Sequence, residues 1–113
     1  MSEFMFLYRA GERSPSPEQA QQQMQRWMTW MKELGAQGHL KDPGQPLDKT
    51  GKVVKGTDKV VTDGPYAETK DIVGGYTVVQ AQDLSQATEL SKGCPIFDFG
   101  GMVEVRPVMK MTM

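Results

Sequence analysis

The chain has 113 residues, of which 38% are hydrophobic and 24% charged, a composition typical of one small soluble globular domain. Its formal net charge of -1 excludes the basic field with which proteins bind nucleic acid, and no apolar run approaches the roughly 20 residues of a membrane-spanning helix. Cys94 is the only cysteine, so an internal disulfide is excluded, and the N-terminus does not read as a signal peptide. We therefore expect a cytoplasmic protein.

The N-terminal third of the chain predicts a strand followed by an amphipathic helix. The apolar run at 4–8 predicts a strand that is buried on both faces. Ser16 is a suitable N-cap, Pro17 suits the first helical position, and Gln19 completes a capping box. We expect the helix to run to Leu34 and to end at Gly35.

One face of this helix carries an apolar stripe, and two readings are open for the tryptophan beside it. Trp30 lies at the edge of the stripe, so it either packs at the core boundary or forms part of a subunit contact or ligand wall. The methionines are more typical of core filling than of a cofactor site. The stripe consists of Ala20, Met24, Trp27, Met28, Met31 and Leu34.

The rest of the chain predicts short strands, a second helix and a final strand. Residues 37–40 predict a strand, and 48–51 a hairpin turn with a return strand at 52–55. Residues 59–62 and 72–81 predict a second pair of strands. A second helix starts with a capping box at 83–86 and ends by Gly93, and the last strand covers 102–110.

This order of elements predicts a ferredoxin-like α+β domain over residues 1–113, with an antiparallel sheet and two helices on one face. The other sheet face then needs a cover, which a second subunit provides most economically. Glu104 and Arg106 share a face of the last strand, so this covered surface is expected to be partly polar. We therefore expect a homodimer with a cleft between the sheet and the loops.

The segment from Asp63 to Lys70 is the best indication of where function lies. Gly64 and Pro65 stiffen a turn between two strand-like runs, and loops held by a rigid scaffold are where binding and catalytic groups concentrate. Tyr66 and Glu68 are the candidate ligand-binding side chains of this turn. Lys70 is more simply explained as a solvated residue.

The same segment, together with motifs elsewhere, resembles the DGPF branch of the YCII-related proteins. That resemblance implies a dimeric α/β barrel with an interior cleft near the Asp-Gly-Pro turn. It also implies relatives that mostly lack an established activity, some of which act on chlorinated aromatic compounds and many of which are encoded beside alternative sigma factors. Tyr66 replaces the usual Phe, and the first-helix His of the classical pattern is absent. The matching motifs are 61–70, 74–76, 83–84, 93–95 and 103–108.

Two residues are the candidate catalytic groups. Asp63 is a general base if the cleft desolvates it, or else its carboxylate caps the turn by accepting backbone N–H bonds. His39 is the only imidazole, and it is either catalytic or a hydrogen-bonded structural residue. One His and one Cys are too few for a metal site of that type, and no cofactor is predicted.

Two arginines are the candidate anion-binding groups. The planar guanidinium groups of Arg9 and Arg106 bind a carboxylate-bearing substrate if they reach the cleft, and are structural if they pair with Glu104 or Glu3. With Trp30, Tyr66 and Glu68, they complete the predicted substrate-binding set.

Two functions follow from this pattern. The first is a small-molecule-binding protein or, more specifically, a cofactor-independent enzyme that uses Asp63 for proton transfer on a polar or aromatic acid. The alternative is a non-catalytic ligand-binding or regulatory partner of a transcription (sigma) factor that acts through protein contacts rather than on DNA.

Overall fold

Two helices and a four-stranded antiparallel sheet form the body of the chain, and a separate β-hairpin extends from it. The structure, a computed structural model, describes residues 1–11, 13–65 and 72–111. No helix within these ranges is long and apolar enough to span a membrane. The elements are β1 (Ser2–Arg9), α1 (Pro17–Ala36), β2 (Leu40–Asp42), β3 (Gly51–Lys55), β4 (Val60–Gly64), β5 (Val73–Ala81), α2 (Leu84–Ser91), a 3₁₀ helix (Pro95–Phe99) and β6 (Met102–Pro107).

The main sheet has the strand order β2-β5-β1-β6, with every neighbouring pair antiparallel. In the central strand, Phe6 lies opposite Thr77 of β5 on one side and Val105 of β6 on the other. Together with the two helices, this order is the ferredoxin-like arrangement. The predicted α+β fold class is confirmed.

The core lies between the helices and one face of the sheet. Phe4, Phe6 and Tyr8 alternate along β1 and are all buried, as the two-residue period of a strand requires. Met5 and Leu7 point to the other face and are only partly buried, so the expected burial of β1 on both faces is not found within one chain. The helices and β5 complete the core with Trp30, Leu34, Ala87, Val79 and Ala81.

Helix α1 begins as predicted and is rotated relative to the prediction. The capping box is present: Gln19 N donates to Ser16 Oγ at 3.2 Å, and Ser16 N donates to Gln19 Oε1 at 2.9 Å. The helix continues through Gly35 to Ala36, so the predicted end at Gly35 is wrong; Gly38, with a φ of +79°, follows the helix instead.

The side of α1 that meets the sheet carries Trp30 and Leu34, which are both buried. Met24 and Met28, assigned to the buried stripe from the sequence, are 66% and 65% exposed. The difference is a rotation of the helix about its axis, which turns Trp30 and Leu34 toward the sheet and Met24 and Met28 away from the core.

The hairpin pairs β3 with β4 and turns at residues 56–59, where Gly56 and Lys59 have positive φ. Two predictions are therefore wrong: residues 48–51 are not the hairpin turn, and β4 pairs with β3 rather than with β5. Asp48 instead accepts a hydrogen bond from Thr50 N at 3.2 Å. The radius of gyration of 15.7 Å exceeds the roughly 13 Å expected for a compact chain of this length, which is consistent with an extended hairpin.

The C-terminal elements differ from the prediction only at their ends. Asp83 caps α2 by accepting from Gln86 N at 2.8 Å, but Gln86 Oε1 accepts from Gln82 N, so the capping box is only half formed. A 3₁₀ helix that the sequence did not predict follows α2 and leads into β6. Strand β6 ends at Pro107, which has no N–H to donate to a neighbouring strand.

Candidate functional site

A cavity of about 1260 Å³ lies between residues 23–35 of α1 and the end of the sheet where β1 stops and β5 starts. Its floor includes Tyr8 of β1 and residues 74–77 of β5. Loop residues 43–46 form one side, and Ile96 and Phe99 of the 3₁₀ helix form the other. This is the size of space that proteins use to hold small organic ligands.

The walls of the cavity are mainly aromatic and thioether groups. Trp27 and Phe99 supply the rings, and Met24, Met28 and Met31 line the α1 side. Arg13 and Lys32 are the only charged side chains among the lining residues of the described chain, and no carboxylate is among them. The surroundings therefore favour an apolar ligand and oppose a cationic one.

A chain of hydrogen bonds lies under the floor. Tyr8 Oη donates to Thr77 Oγ1 at 2.7 Å, and Thr77 Oγ1 donates to the Pro43 carbonyl at 3.0 Å. Burial raises the pKa of Tyr8 well above its ordinary value, although the bond to Thr77 opposes the rise. The phenol therefore stays neutral at physiological pH. Its role is to hold β1, β5 and the loop at Pro43 together under the cavity rather than to act as a base.

Glycines allow the 43–46 loop to lie directly on β5. At Gly44, which has a φ of +71°, an added Cβ would lie 1.8 Å from the Tyr76 carbonyl oxygen. At Gly75 it would lie 3.2 Å from the Gln45 carbonyl oxygen. The close approach of the two backbones shapes this wall, and Leu47 N donates to Gly74 O at 2.8 Å beside it.

Asp63 lies on the hairpin, outside the cavity wall. Its Oδ1 is 2.5 Å from Lys52 Nζ, across the β3–β4 pair, and its side chain is 90% exposed. The structure therefore gives the carboxylate an ion-pair partner in place of the desolvating surroundings expected from the sequence. Its catalytic role stays a prediction.

His39 lies between α1 and β2, and its backbone is hydrogen-bonded to the edge of the sheet. Its Nδ1 is 2.8 Å from the Gln80 carbonyl oxygen, and Gln80 N donates to the His39 carbonyl at 2.7 Å. Because a carbonyl oxygen only accepts, Nδ1 carries the proton and Nε2 is left as the acceptor. His39 is not among the cavity-lining residues, and its catalytic role also stays a prediction.

The two tryptophans divide between core and cavity. Trp30 is 6% exposed and stacks on Phe6 with ring centroids 6.1 Å apart, which is the packing role left open by the sequence. Trp27, one turn earlier, lines the cavity and meets Tyr8 edge-on at 4.8 Å. Trp27 therefore occupies the ligand-wall position considered for Trp30.

Arg9 and Arg106 lie on the sheet face opposite the helices. Arg9 Nη2 is 3.0 Å from Glu104 Oε1, and Arg106 Nη1 is 3.6 Å from Glu104 Oε2. This is the pairing named as the structural alternative, and it does not bring either arginine to the cavity. Tyr66 and Glu68, the remaining predicted ligand-binding residues, lie outside the described residues.

Sequence reasoning missed Arg13 and Tyr8 as parts of the site. Tyr8 was placed in a strand with no role, and Arg13 lies in a polar stretch between β1 and α1 that carries no motif. The only feature of the sequence that points to these two residues is their position near the C-terminal end of β1, where the chain leaves the sheet. The sequence could not show that α1 leaves open space there.

Cys94 is buried before the 3₁₀ helix, and burial raises the pKa of its thiol to about 12. A thiol in such surroundings is protonated at neutral pH and is a poor nucleophile. This agrees with the expectation that Cys94 is not a catalytic nucleophile.

The strand order and the cavity define a small ferredoxin-like α+β domain with space for a ligand. The model of the YCII-related domain matches residues 2–112, and the chain belongs to that family. The resemblance inferred from the motifs is therefore confirmed at the level of the YCII-related family.

One solved structure similar to this chain is 5-chloro-2-hydroxyhydroquinone dehydrochlorinase (TftG) from Burkholderia phenoliruptrix AC1100, in complex with 2,5-dihydroxybenzoquinone. The two are 15% identical with a TM-score of 0.39, over 88% of this chain and 90% of that chain. No curated protein matches the sequence.

Proposed function

We propose that this protein binds a small apolar or aromatic organic molecule in the cavity between α1 and the sheet. The observation that carries the proposal is the cavity itself, about 1260 Å³ of space walled by Trp27, Phe99 and the methionines of α1. Burying apolar ligand surface there contributes roughly 25 cal/mol per Å² before the costs of association.

We further propose that the bound molecule is an acid on which Asp63 acts by proton transfer. Chain connectivity supports this, because β4 ends at Gly64 and β5 contributes Gly74 and Gly75 to the cavity wall. The ion pair with Lys52 has to open for the carboxylate to act as a base.

Binding is tested by thermal shift with a library of small aromatic and aliphatic acids, since a ligand stabilises the folded state by mass action. Met28→Trp places a large side chain on a cavity-lining residue that is 65% exposed, so it fills the cavity without disturbing the core. Leu84→Trp, on an exposed residue of α2, is the matched control. Ligand shifts that vanish in Met28→Trp and persist in Leu84→Trp support the proposal; shifts equal in both contradict it.

Catalysis is tested separately with Asp63→Asn on any acid found by the screen. We expect turnover to be lost while binding and the melting temperature are retained, because the exposed carboxylate contributes little to the fold. Unchanged turnover would remove Asp63 from the mechanism and leave the binding site standing.

We also propose a cytoplasmic homodimer of the DGPF branch in which the second subunit covers the open sheet face. Met5 and Leu7 lie on that face, and the chain is only 19 Å thick along its shortest axis, as a single sheet with one helical layer would be. Sedimentation equilibrium should give a dimer that Leu7→Lys dissociates. A monomer at micromolar concentration in the unaltered protein would contradict the proposal.

The alternative function, a regulatory protein that binds a sigma factor, is supported by exposed apolar residues on the β3–β4 hairpin. Val54, Val60 and Val61 are between 56% and 63% exposed there, and exposed apolar clusters often mark protein contacts. A purified sigma factor that binds the unaltered protein and Asp63→Asn equally, and fails to bind Val61→Asp, would favour this function over catalysis.

A further inference from the structure

We propose that the ligand of the cavity is a planar aromatic carboxylate and that Arg13 binds its carboxylate group. The inference rests on the proposed binding function of the same cavity and assigns to it a ligand class and an anchoring residue. Neither Arg9 nor Arg106, the arginines singled out from the sequence, lines this cavity.

Arg13 is held at the cavity edge by the segment that ends the 3₁₀ helix. Its Nη2 donates to the Asp98 carbonyl at 3.3 Å, and its guanidinium lies beside Gly100, where an added Cβ would be 3.8 Å away. Within the described part of the chain, no other hydrogen bond or ion pair engages the guanidinium. Arg13 is an exposed residue, so its remaining N–H donors are accessible to a ligand.

The chain two residues before Arg13 packs directly on the segment that ends the 3₁₀ helix. An added Cβ at Gly11 would lie 2.3 Å from the Phe99 carbonyl oxygen, so the two segments are in direct contact. Phe99 and Arg13 both line the cavity, so this contact joins the segment that carries the ring to the segment that leads to the cation. A pre-positioned guanidinium loses less entropy on binding a carboxylate than a free surface arginine does.

The charge balance of the lining selects an anion. Arg13 and Lys32 contribute two positive charges, and the lining residues within the described ranges include no Asp or Glu. We assign the carboxylate to Arg13 rather than to Lys32 because the planar guanidinium donates two parallel bonds to one carboxylate, whereas the lysine is a flexible point charge.

The shape of the lining selects a flat ring. Trp27 is held edge-on against Tyr8 at an interplanar angle of 90°, and Phe99 lies on the 3₁₀ side. The thioethers of Met24 and Met28 line the same side of α1 and make favourable contacts with aromatic rings. These groups favour an aromatic ring over a flexible aliphatic chain in the same cavity that Arg13 lines.

The test compares two probes of nearly equal size, 1-naphthoate and the uncharged 1-naphthalenemethanol, by calorimetric titration of the full chain. We expect naphthoate to bind about tenfold more tightly, and Arg13→Gln to remove about that factor for naphthoate while changing the alcohol little. Lys32→Gln should have a smaller effect. The naphthoate affinity should also fall as ionic strength rises.

Arg26→Gln is the matched control, because Arg26 pairs with the Asp98 carboxylate but does not line the cavity. It removes a tether of the 3₁₀ segment without removing the proposed anion contact, so naphthoate affinity should be retained. Equal losses in Arg13→Gln and Arg26→Gln, for both probes, would show a purely structural role and overturn the inference.

The inference and the proposed function fail in different ways. If both probes bind equally, Arg13→Gln has no effect and Met28→Trp blocks both, then the anion assignment is overturned and the cavity remains a binding site. If neither probe binds, the aromatic carboxylate class is overturned, and the thermal-shift screen decides separately whether the cavity binds any other compound.

Discussion

The hydroxyl of Tyr8 donates a 2.7 Å hydrogen bond to Thr77 Oγ1, joining two strands through residues 69 positions apart in the chain. Thr77 in turn donates to the Pro43 carbonyl, so the pair fixes β1, β5 and the 43–46 loop around one end of the cavity. Thr77 is fully buried, which makes both bonds costly to break.

We expect Thr77→Val to lower the free energy of unfolding by about 1–3 kcal/mol, because it leaves the Tyr8 hydroxyl and the Pro43 carbonyl without their partner. Tyr8→Phe removes only one bond and should cost about 1 kcal/mol. Urea unfolding measures both, and the double variant should lose less than the sum. Strict additivity would show that the two side chains do not interact energetically.

Two glycine substitutions should change stability in opposite directions. Gly35 lies inside α1, and an added Cβ would meet only the tip of Leu40 at 3.9 Å, so Gly35→Ala should stabilise by roughly 0.5–1 kcal/mol. At Gly44, a φ of +71° and the nearby Tyr76 carbonyl lead us to expect that Gly44→Ala destabilises by about 2–4 kcal/mol. Thermal unfolding compares them, and a shift of the same sign in both would contradict the described contacts.

Stability should fall at alkaline pH through Cys94. Burial raises the pKa of its thiol from 9.0 to about 12, so the group keeps its proton in the folded state where the unfolded chain has lost it. The stabilisation is complete below pH 9 and is lost between pH 9 and about 12, at about 1.4 kcal/mol per pH unit. Tyr8, whose pKa is also raised by burial, adds a loss of the same sign at higher pH.

Urea unfolding under reducing conditions at about pH 8 and about pH 10 measures this slope. The control is Cys94→Ala, in which the drop between the two pH values should be smaller than in the unaltered protein. Equal drops would mean that Cys94 titrates alike in the folded and unfolded chains.

The ion pair between Lys52 and Asp63 should contribute at most about 1 kcal/mol to stability, since the side chains are 67% and 90% exposed. Lys52→Gln should therefore leave the melting temperature within a few degrees of the original, and high salt should remove most of any difference. A larger loss, measured by thermal unfolding at low salt, would show that the pair is desolvated by a contact such as the second subunit.

The sequence predicted the helix starts well, because there a side chain of one residue accepts a hydrogen bond from a backbone N–H a few residues away. The Ser16–Gln19 capping box placed the start of α1, and Asp83 placed the start of α2. The apolar run at 4–8 placed β1, but not its core face, because all five residues are apolar. These features depend on neighbours within a few residues, so the sequence contains the whole interaction.

Pairings between distant segments were harder to predict. The sequence predicted a hairpin turn at 48–51, whereas the observed β3–β4 pairing puts the turn at 56–59. Likewise, a helical wheel places Met24, Met28 and Trp30 within a continuous arc, and only the angle at which α1 meets the sheet decides which of them is buried. That angle depends on packing against β1, β2 and the 3₁₀ helix at once.

The sequence by itself determined the family, the α+β class and the starts of the helices, because these follow from motifs and short-range hydrogen bonds. Only the tertiary structure decided where a ligand can enter. It placed Asp63 in an exposed ion pair, Arg9 and Arg106 beside Glu104, and Arg13 at the cavity. A cavity is the space left between elements that are distant in the chain, so no local pattern of residues specifies it.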